Sequence, residues 1–515
     1  MDKIETKIGK DVIESLTLGM YEDSRLIFRE YIQNSADQID KAVEQGLFDN
    51  LRDGKIEIEI HSSTESISIL DNATGIPSKN VQPILKNIAK STKDRTKNKG
   101  FRGIGRLGGL AYADELIFET SYKGEDVKSF LIWDSKKLKS IINNRTNKED
   151  AAKVIDEVTE YKEEKENIDA HYFKVTLKGV KNKLLLDKED IYQYLTMIAP
   201  VPFNKGFYFK DIIYNKALEL NFGIDEYLIY VNKNQVLKSY TMSIYAGDAQ
   251  NKKKIDELND IETFEVRNSN DHLLAWGWYG ISNFTKALPN INTARCLRLR
   301  KGNIQIGLED ALAKLFKESR GTKYFFGEIH AVSPDLIPNS RRDYFIDNQT
   351  LKDFEKHIKI KFFELHDLYH FSSRVRNNQK RIDDLVEFTK IYEQKSKNGG
   401  FTDEKEKANF LEKFEEKKEK AQIAETELKK TKEKISSEES SKTKVFENVV
   451  KEKVETVTNV KLTDTGKTKF ITDDITNLSR KDRKLVSRIF GVVDKILTPD
   501  LSSLLKEKIK EELTN

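Results

Sequence analysis

Along the first 180 or so residues the apolar positions change their period repeatedly. Residues 11–45 carry apolar side chains at helical spacing, and the pattern stops near Gly46, the residue type that most readily ends a helix. Ile56, Ile58 and Ile60 then alternate with glutamates, and Ile67 and Ile69 alternate in the same way up to Asp71. Period two with one apolar face predicts two half-buried strands. Further strands are predicted at 116–120, 130–133 and 173–177, so helix and strand interleave as in an α/β sandwich. From about 185 to 345 strand patterns dominate, at 227–231, 272–279, 297–306 and 324–332, with a helical patch at 308–318. This predicts a second, mixed α/β domain.

Beyond it the punctuation disappears. No proline occurs between Pro338 and Pro499, and Gly399-Gly400 is the only glycine pair in that stretch. A helix to about 395, a joint at 398–400 and a Lys/Glu-rich helix to about 435 are expected. The second helix has a broken heptad seam of Phe414, Lys417, Ala421, Ala424, Leu428, Thr431 and Ile435, which suits either a coiled coil or a single solvated helix. Residues 436–444 read as a linker. Leu485, Ile489, Val492, Val493, Ile496 and Leu497 predict a terminal helical hairpin turned by Pro499. The expected organisation is therefore 1–182, 183–345, 346–400, 401–444 and 445–515, an α/β fold with a helical C-terminal region.

Composition narrows the chemistry. A length of 515 residues exceeds one core. Charged residues make up 34% and hydrophobic ones 37%, a balance that suits globular domains carrying long solvated helices. The single cysteine, Cys296, excludes an internal disulfide framework and CxxC metal sites, and points to a reducing, cytoplasmic setting. No run approaches the roughly 18 apolar residues of a membrane span, and the segment MDKIETKIGK lacks the apolar core of a signal peptide. The net charge of +4 argues against a dedicated nucleic-acid binder, though not against a local basic patch. HExxH and GxSxG are absent, and His366 and His370, at i, i+4 without a third ligand, read as packing residues.

Three segments carry candidate chemistry. In REYIQNSADQIDKA a helix places Glu30, Asn34 and Asp37 on one face. Alone, that spacing also suits solvated surface. In SISILDNATGIP a strand runs into Asp71, followed by a loop with Gly75. A strand-end carboxylate can accept the adenine amino group's hydrogen bonds, and the same residues would also form an Asp-Asn turn. In KNIAKSTKDRTKNKGFRGIGRLGG, five glycines (Gly100, Gly103, Gly105, Gly108, Gly109) permit close backbone approach to phosphates, flanked by cations from Lys86 to Arg106. Gly103, Gly105 and Gly108 spell GxGxxG, but a basic polar run precedes them rather than a buried strand, so the dinucleotide fold is not implied. Thr465-Gly466-Lys467-Thr468 is not a phosphate loop either, because Lys461 stands where the first glycine belongs.

Acidic helix, strand-end aspartate and glycine-rich lid, in that order, resemble the ATP site of the gyrase B, heat-shock chaperone, histidine kinase and MutL superfamily. EYIQNSADQIDKA and the NIAKSTK of residues 87–93 look most like the ninety-kilodalton heat-shock chaperone family, whereas GFRG at 100–103 looks more like MutL. The resemblance implies a Bergerat-type ATP-binding sandwich over about 1–180. It implies that Glu30 activates the attacking water, Asn34 helps hold magnesium and Asp71 binds adenine. Asp37, Gly75, Lys93, Arg102 and the loop from Gly100 through Gly103 and Gly105 to Gly108 would complete the ATP site. Ala73 stands where that family has a glycine, and Tyr172-Phe173 replaces its Gly-Thr pair, whose threonine supports the adenine site. LIPNSRRDYF at 336–345 resembles the middle-domain loop that sends an arginine to the γ-phosphate, Arg342 aligning best and Arg341 next; as residues alone it also reads as a surface turn. The expectation is an ATP- and Mg2+-dependent homodimeric clamp on a macromolecular client, either protein or, as in MutL and microrchidia ATPases, nucleic acid in repair or defence.

Overall fold

The computed structural model describes residues 8–17, 23–88, 105–144, 149–248, 250–397, 401, 404–435, 440–450, 462, 470, 475 and 477–514. The chain forms two compact units, Met1–His366 and Asp367–Asn515. No helix among the described residues is long and apolar enough to cross a membrane.

The first unit begins with helices α1 (Asp11–Thr17) and α2 (Leu26–Glu44) and strands β1 (Lys55–His61) and β2 (Ser66–Asp71). It continues with α3 (Ser78–Leu85), β3 (Glu115–Ser121), β4 (Val127–Asp134), α4 (Ser135–Asn143), α5 (Ala151–Glu157), β5 (Thr159–Lys165) and β6 (Tyr172–Lys178). After α6 (Lys188–Ile198) and α7 (Lys210–Glu219) come β7 (Leu228–Val231) and β8 (Asn234–Gln235). These eight strands form one sheet in the order β5-β4-β3-β6-β2-β1-β7-β8. The alternation expected from sequence is kept: Ile56, Ile58 and Ile60 of β1 and Ile67 and Ile69 of β2 are all buried, each contributing about 1.5–3 kcal/mol. Asp71 is the third inward position of β2, so the same alternation that buries the isoleucines buries a carboxylate. Helix α2 covers them with Phe28, Tyr31, Ile32, Ala36 and Ile39. It ends as Gly46 predicts: Gly46 takes φ +70°, its N–H bonds Val43 O at 3.0 Å, and Leu47 N–H reaches back to Ala42 O at 2.8 Å.

Two features of this sheet differ from expectation. Strand β5 (TEYKEEK) carries almost no buried residue and lies at the sheet edge, where charge blocks further pairing and hides the strand from a hydrophobicity pattern. Strand β7 pairs parallel with β1, Lys55 opposite Leu228 through Ile58 opposite Val231. The first sheet thus takes its last two strands from beyond residue 182, the expected domain limit.

The second sheet contains β9 (Ser243–Ala246), β10 (Lys253–Arg267), β11 (Leu273–Ser282), β12 (Cys296–Lys301), β13 (Ile304–Gln305) and β14 (Phe326–Ala331). Its aromatic core joins Phe203, Phe207, Tyr240, Trp276, Trp278 and Phe326. Beside it lies a buried ionic cluster. Glu328, fully buried, meets Lys238 Nζ at 2.8 Å, Arg300 Nε at 2.6 Å and Tyr240 Oη at 3.2 Å. Arg300 also donates to Met197 O at 2.6 Å, tying this sheet to α6. Burial lowers the Lys238 ammonium to about 8, so it stays charged at neutral pH beside a carboxylate that Arg300 and Lys238 hold well below its ordinary range. The helix expected at 308–318 does not form. Only 3-10 turns stand there, at Ala313–Leu315 and Ser319–Tyr324, because Phe316 turns extended and stacks on Phe362 with centroids 4.1 Å apart.

Helix α8 (Gln349–Lys397) runs from the first unit into the second, followed by α9 (Glu404–Ile435) and α10 (Ser441–Val449). The α9 seam is covered by α8 of the same chain: Phe388 stacks on Phe410 at 4.1 Å, and Asn378 donates to Glu427 at 2.8 Å, which is an antiparallel hairpin. Lys417, a polar intruder in the heptads, sits 5.4 Å over the Phe388 ring. The joint at 398–400 and the TGKT segment at 465–468 lie outside the described residues. The second half of the expected linker is the start of α10. Helices α11 (Arg480–Ile496) and α12 (Pro499–Thr514) form the expected terminal hairpin, with Val486 and Phe490 against Ile475, Ile509 and Leu513.

Candidate active site

The candidate site is organised by α2 and the strand ends beside it. Asp71 is 1% exposed. Ser35, one turn beyond Tyr31 on α2, donates its hydroxyl to Asp71 Oδ2 at 2.7 Å, and Ala73 N–H reaches Oδ1 at 3.2 Å. The residue in place of the family glycine thus keeps the turn. Gly75 follows at φ +67°, with the place of a Cβ only 1.9 Å from the Ser121 carbonyl oxygen, so no other residue fits without moving β3. Phe173 sits on the same rung as Asp71, and Thr120 is its partner on the other side. The Thr120 hydroxyl accepts from Ile76 N–H and donates to Tyr172 O, both at 2.9 Å. A threonine therefore supports this turn from β3, one strand away from its expected place, while Phe173 stacks on Phe118 at 5.9 Å.

Glu30 is held by three neighbours. Arg29 Nε lies 4.0 Å and Arg342 Nε 3.9 Å from Glu30 Oε1, and the Glu30 carboxylate occupies the space where Gly105 would carry a Cβ, at 2.0 Å. The loop of residues 336–345 is thus brought against α2. Arg342 points inward, 7% exposed and with φ +54°, whereas Arg341 is exposed. Arg29, 1% exposed, fastens this loop by donating from Nη2 to Arg341 O at 3.0 Å and from Nη1 to Arg342 O at 3.5 Å. Among the described residues its Nε has no hydrogen-bond partner, and neither amide atom of the fully buried Gln33 has one. Orphaned donors of this kind cost about 1–3 kcal/mol each unless a ligand or water answers them.

Of the remaining candidates, Asp37 is buried on α2 and Asn34 is half-buried one turn before it. Lys93, Gly100, Arg102 and Gly103 lie outside the described residues. Gly105 and Gly108 belong to a 3-10 stretch, Gly105–Ala111, that Tyr31 pins from below. The Tyr31 hydroxyl accepts from Gly109 N–H at 3.0 Å and donates to Arg106 O at 3.1 Å, and burial raises its phenol above the ordinary range. Sequence reasoning missed Arg29, Tyr31, Ser35 and Thr120. Arg29 and Tyr31 flank Glu30 in REY, a pairing that could have drawn attention, but a buried arginine has no sequence mark of its own.

The arrangement gathers groups that can meet a phosphorylated ligand. It joins a deep acceptor for an amino group, a helix face with an acid and an amide, two guanidiniums with an unanswered donor, and a glycine segment abutting the acid.

Residues 26–165 match the family described as Histidine kinase-, DNA gyrase B-, and HSP90-like ATPase. Curated relatives include Chaperone protein HtpG of Legionella pneumophila (strain Lens), 28% identical over 144 residues, which are 25% of this chain and 23% of that one. The protein of the same name from Buchnera aphidicola subsp. Acyrthosiphon pisum (strain APS) is 26% identical over 143 residues, 24% of this chain and 23% of the relative. In Fusobacterium nucleatum subsp. nucleatum it is 27% identical over 136 residues, 23% and 22% of the two chains. The match spans less than a quarter of these relatives. The N-terminal part of the chain is thus similar to an HSP90-like ATPase domain.

Proposed function

We propose that the chain is a magnesium-dependent ATPase working as a conformational clamp. The observation that carries this reading is the meeting of Glu30 with Arg342, contributed by distant parts of the chain and 3.9 Å apart. Asp71 accepts the adenine amino group, its charge contributing about 1.5–3 kcal/mol of selectivity. The Asn34 side-chain oxygen holds magnesium, which when bound supplies positive charge across the phosphates. Gly105 and Gly108, in the 3-10 stretch that begins against Glu30, let the backbone approach the triphosphate. Glu30 takes a proton from water as its oxygen bonds to the γ-phosphorus and the bond to ADP breaks; Arg342 offsets the charge that develops on the phosphoryl oxygens. Because Arg342 comes from the loop after the second sheet, hydrolysis requires that loop to be docked on α2. Glu30→Ala should retain ATP binding and lose about 100-fold in turnover, measured by phosphate release. Turnover within a few-fold of wild type would remove Glu30 from the reaction.

The output we propose is remodelling or gripping of a protein client, as the chaperone name of the relatives suggests, by a homodimer joined beyond residue 345. The exposed apolar row Leu485, Ile489, Val492 and Ile496 on α11 supports that location, and light scattering that finds a full-length monomer would exclude it. A second reading, a nucleic-acid clamp, is favoured by charge. Asp367–Asn515 holds 33 Lys and Arg against 29 Asp and Glu, the whole of the chain's +4.

A further inference from the structure

Lysines and glutamates interleave along α9 in sequence, yet folding sorts them. Lys420 pairs with Glu416 and Lys429 with Glu425 on the helix itself. Elsewhere α8, α9 and α10 line a groove of about 780 Å³ whose cations, among the described residues, are Arg374, Arg381, Lys430, Lys434 and Lys442 and whose carboxylate among them is Glu427. Glu427 is already engaged by the Asn378 amide at 2.8 Å, and Lys442 is paired with Asp367 at 2.6 Å. Arg374, Lys430 and Lys434 are exposed and make no ion pair among the described residues. Between the cations lie the largely buried Phe371, Val375 and Leu428, beside the polar Asn377, Asn378, Thr431 and Ser440.

An anion is the natural occupant, and the layout favours an extended one. Lys430 and Lys434 stand one helical turn apart, about 6 Å, and Arg374 and Arg381 about 10.5 Å apart, so a single phosphate cannot meet them all. The walls are helices whose main-chain groups bond within themselves, leaving little for the backbone of an acidic peptide to pair with. Side-chain cations around a partly apolar floor instead suit a strand of phosphodiesters with a base face resting between them.

We propose that this groove binds single-stranded nucleic acid, with backbone phosphates on Arg374, Arg381, Lys430 and Lys434 and a base over the Phe371 floor. The proposal deepens the second reading of the client and rests on it. The test uses the full chain and a fluorescent oligothymidylate of about twelve nucleotides, followed by anisotropy across a salt series. Wild type should bind at low salt and weaken as salt rises. Lys430→Glu with Lys434→Glu should cost at least tenfold in affinity and flatten the salt slope by about 1.4, the share of two phosphate contacts. Lys413→Glu with Lys420→Glu, an equal charge change on the same helix away from the groove, should bind nearly as wild type. Helical circular dichroism equal to wild type shows that both variants are folded. Wild type that binds no oligonucleotide overturns both the groove and the nucleic-acid reading. Wild type that binds while the two double variants lose affinity equally overturns the groove alone. Polyglutamate displacing the oligonucleotide as well as unlabelled oligothymidylate does would also overturn it.

Discussion

Both sheets of the first unit bury charge, and they do so to opposite ends. In the second sheet Glu328 is enclosed by Lys238, Arg300, Tyr240 and His330, and the cluster ends on the carbonyl of Met197. In the first, Arg29 is as deeply buried, but its carboxylate, Glu30, stands 4.0 Å from Nε, and neither amide atom of Gln33 has a hydrogen bond among the described residues. A carboxylate in close contact with its cations holds two layers together, whereas cations standing 3.9–4.0 Å from theirs leave it free to bond elsewhere. Depth of burial alone would have ranked the two clusters alike; the distance from cation to carboxylate separates them, 2.6–2.8 Å around Glu328 and 3.9–4.0 Å around Glu30.

The largest effect that would break this comparison is on stability. Glu328→Ala leaves Lys238 and Arg300 without their carboxylate and should cost about 3–5 kcal/mol in denaturant unfolding. A loss below about 1 kcal/mol would mean the cluster is not structural. Asp71→Asn should leave stability without ligand nearly unchanged and abolish the ATP-dependent gain, which for wild type is about 2.7 kcal/mol at a hundred times Kd. An undiminished thermal shift would take Asp71 out of the adenine pocket. The smallest effect sharpens the site. Arg342→Ala should lower turnover about tenfold, near 1.4 kcal/mol, with ATP affinity barely moved. The exposed Arg341, changed to alanine, should lose far less; equal losses would reduce the loop to a plain surface turn.

Where a pattern has a period, the sequence was readable. The alternation in β1 and β2 predicted both strands and carried Asp71 to the inward face, and Gly46 marked the end of α2. Strand β5 escaped because an exposed charged edge has no apolar period, and the patch at 308–318 misled because helical spacing there is outweighed by the stacking of Phe316 on Phe362. At the candidate site, Glu30 and Arg342 were singled out by local motifs. Their meeting was not, and neither was the role of Arg29 in fastening it, since both depend on contacts between residues some 310 positions apart.

The parallel pairing of β7 with β1 also has a consequence in time. Strand β1 ends at His61, but its partner ends at Val231, 170 residues later. At about 5–20 residues per second, a ribosome takes roughly 10 to 35 s to deliver that partner. Through that interval one edge of β1 has its N–H and C=O groups open to any other strand nearby. The nascent chain is therefore most vulnerable to mispairing after α2, β1 and β2 are made, and its own later segment, α6 through β7, is what ends the exposure.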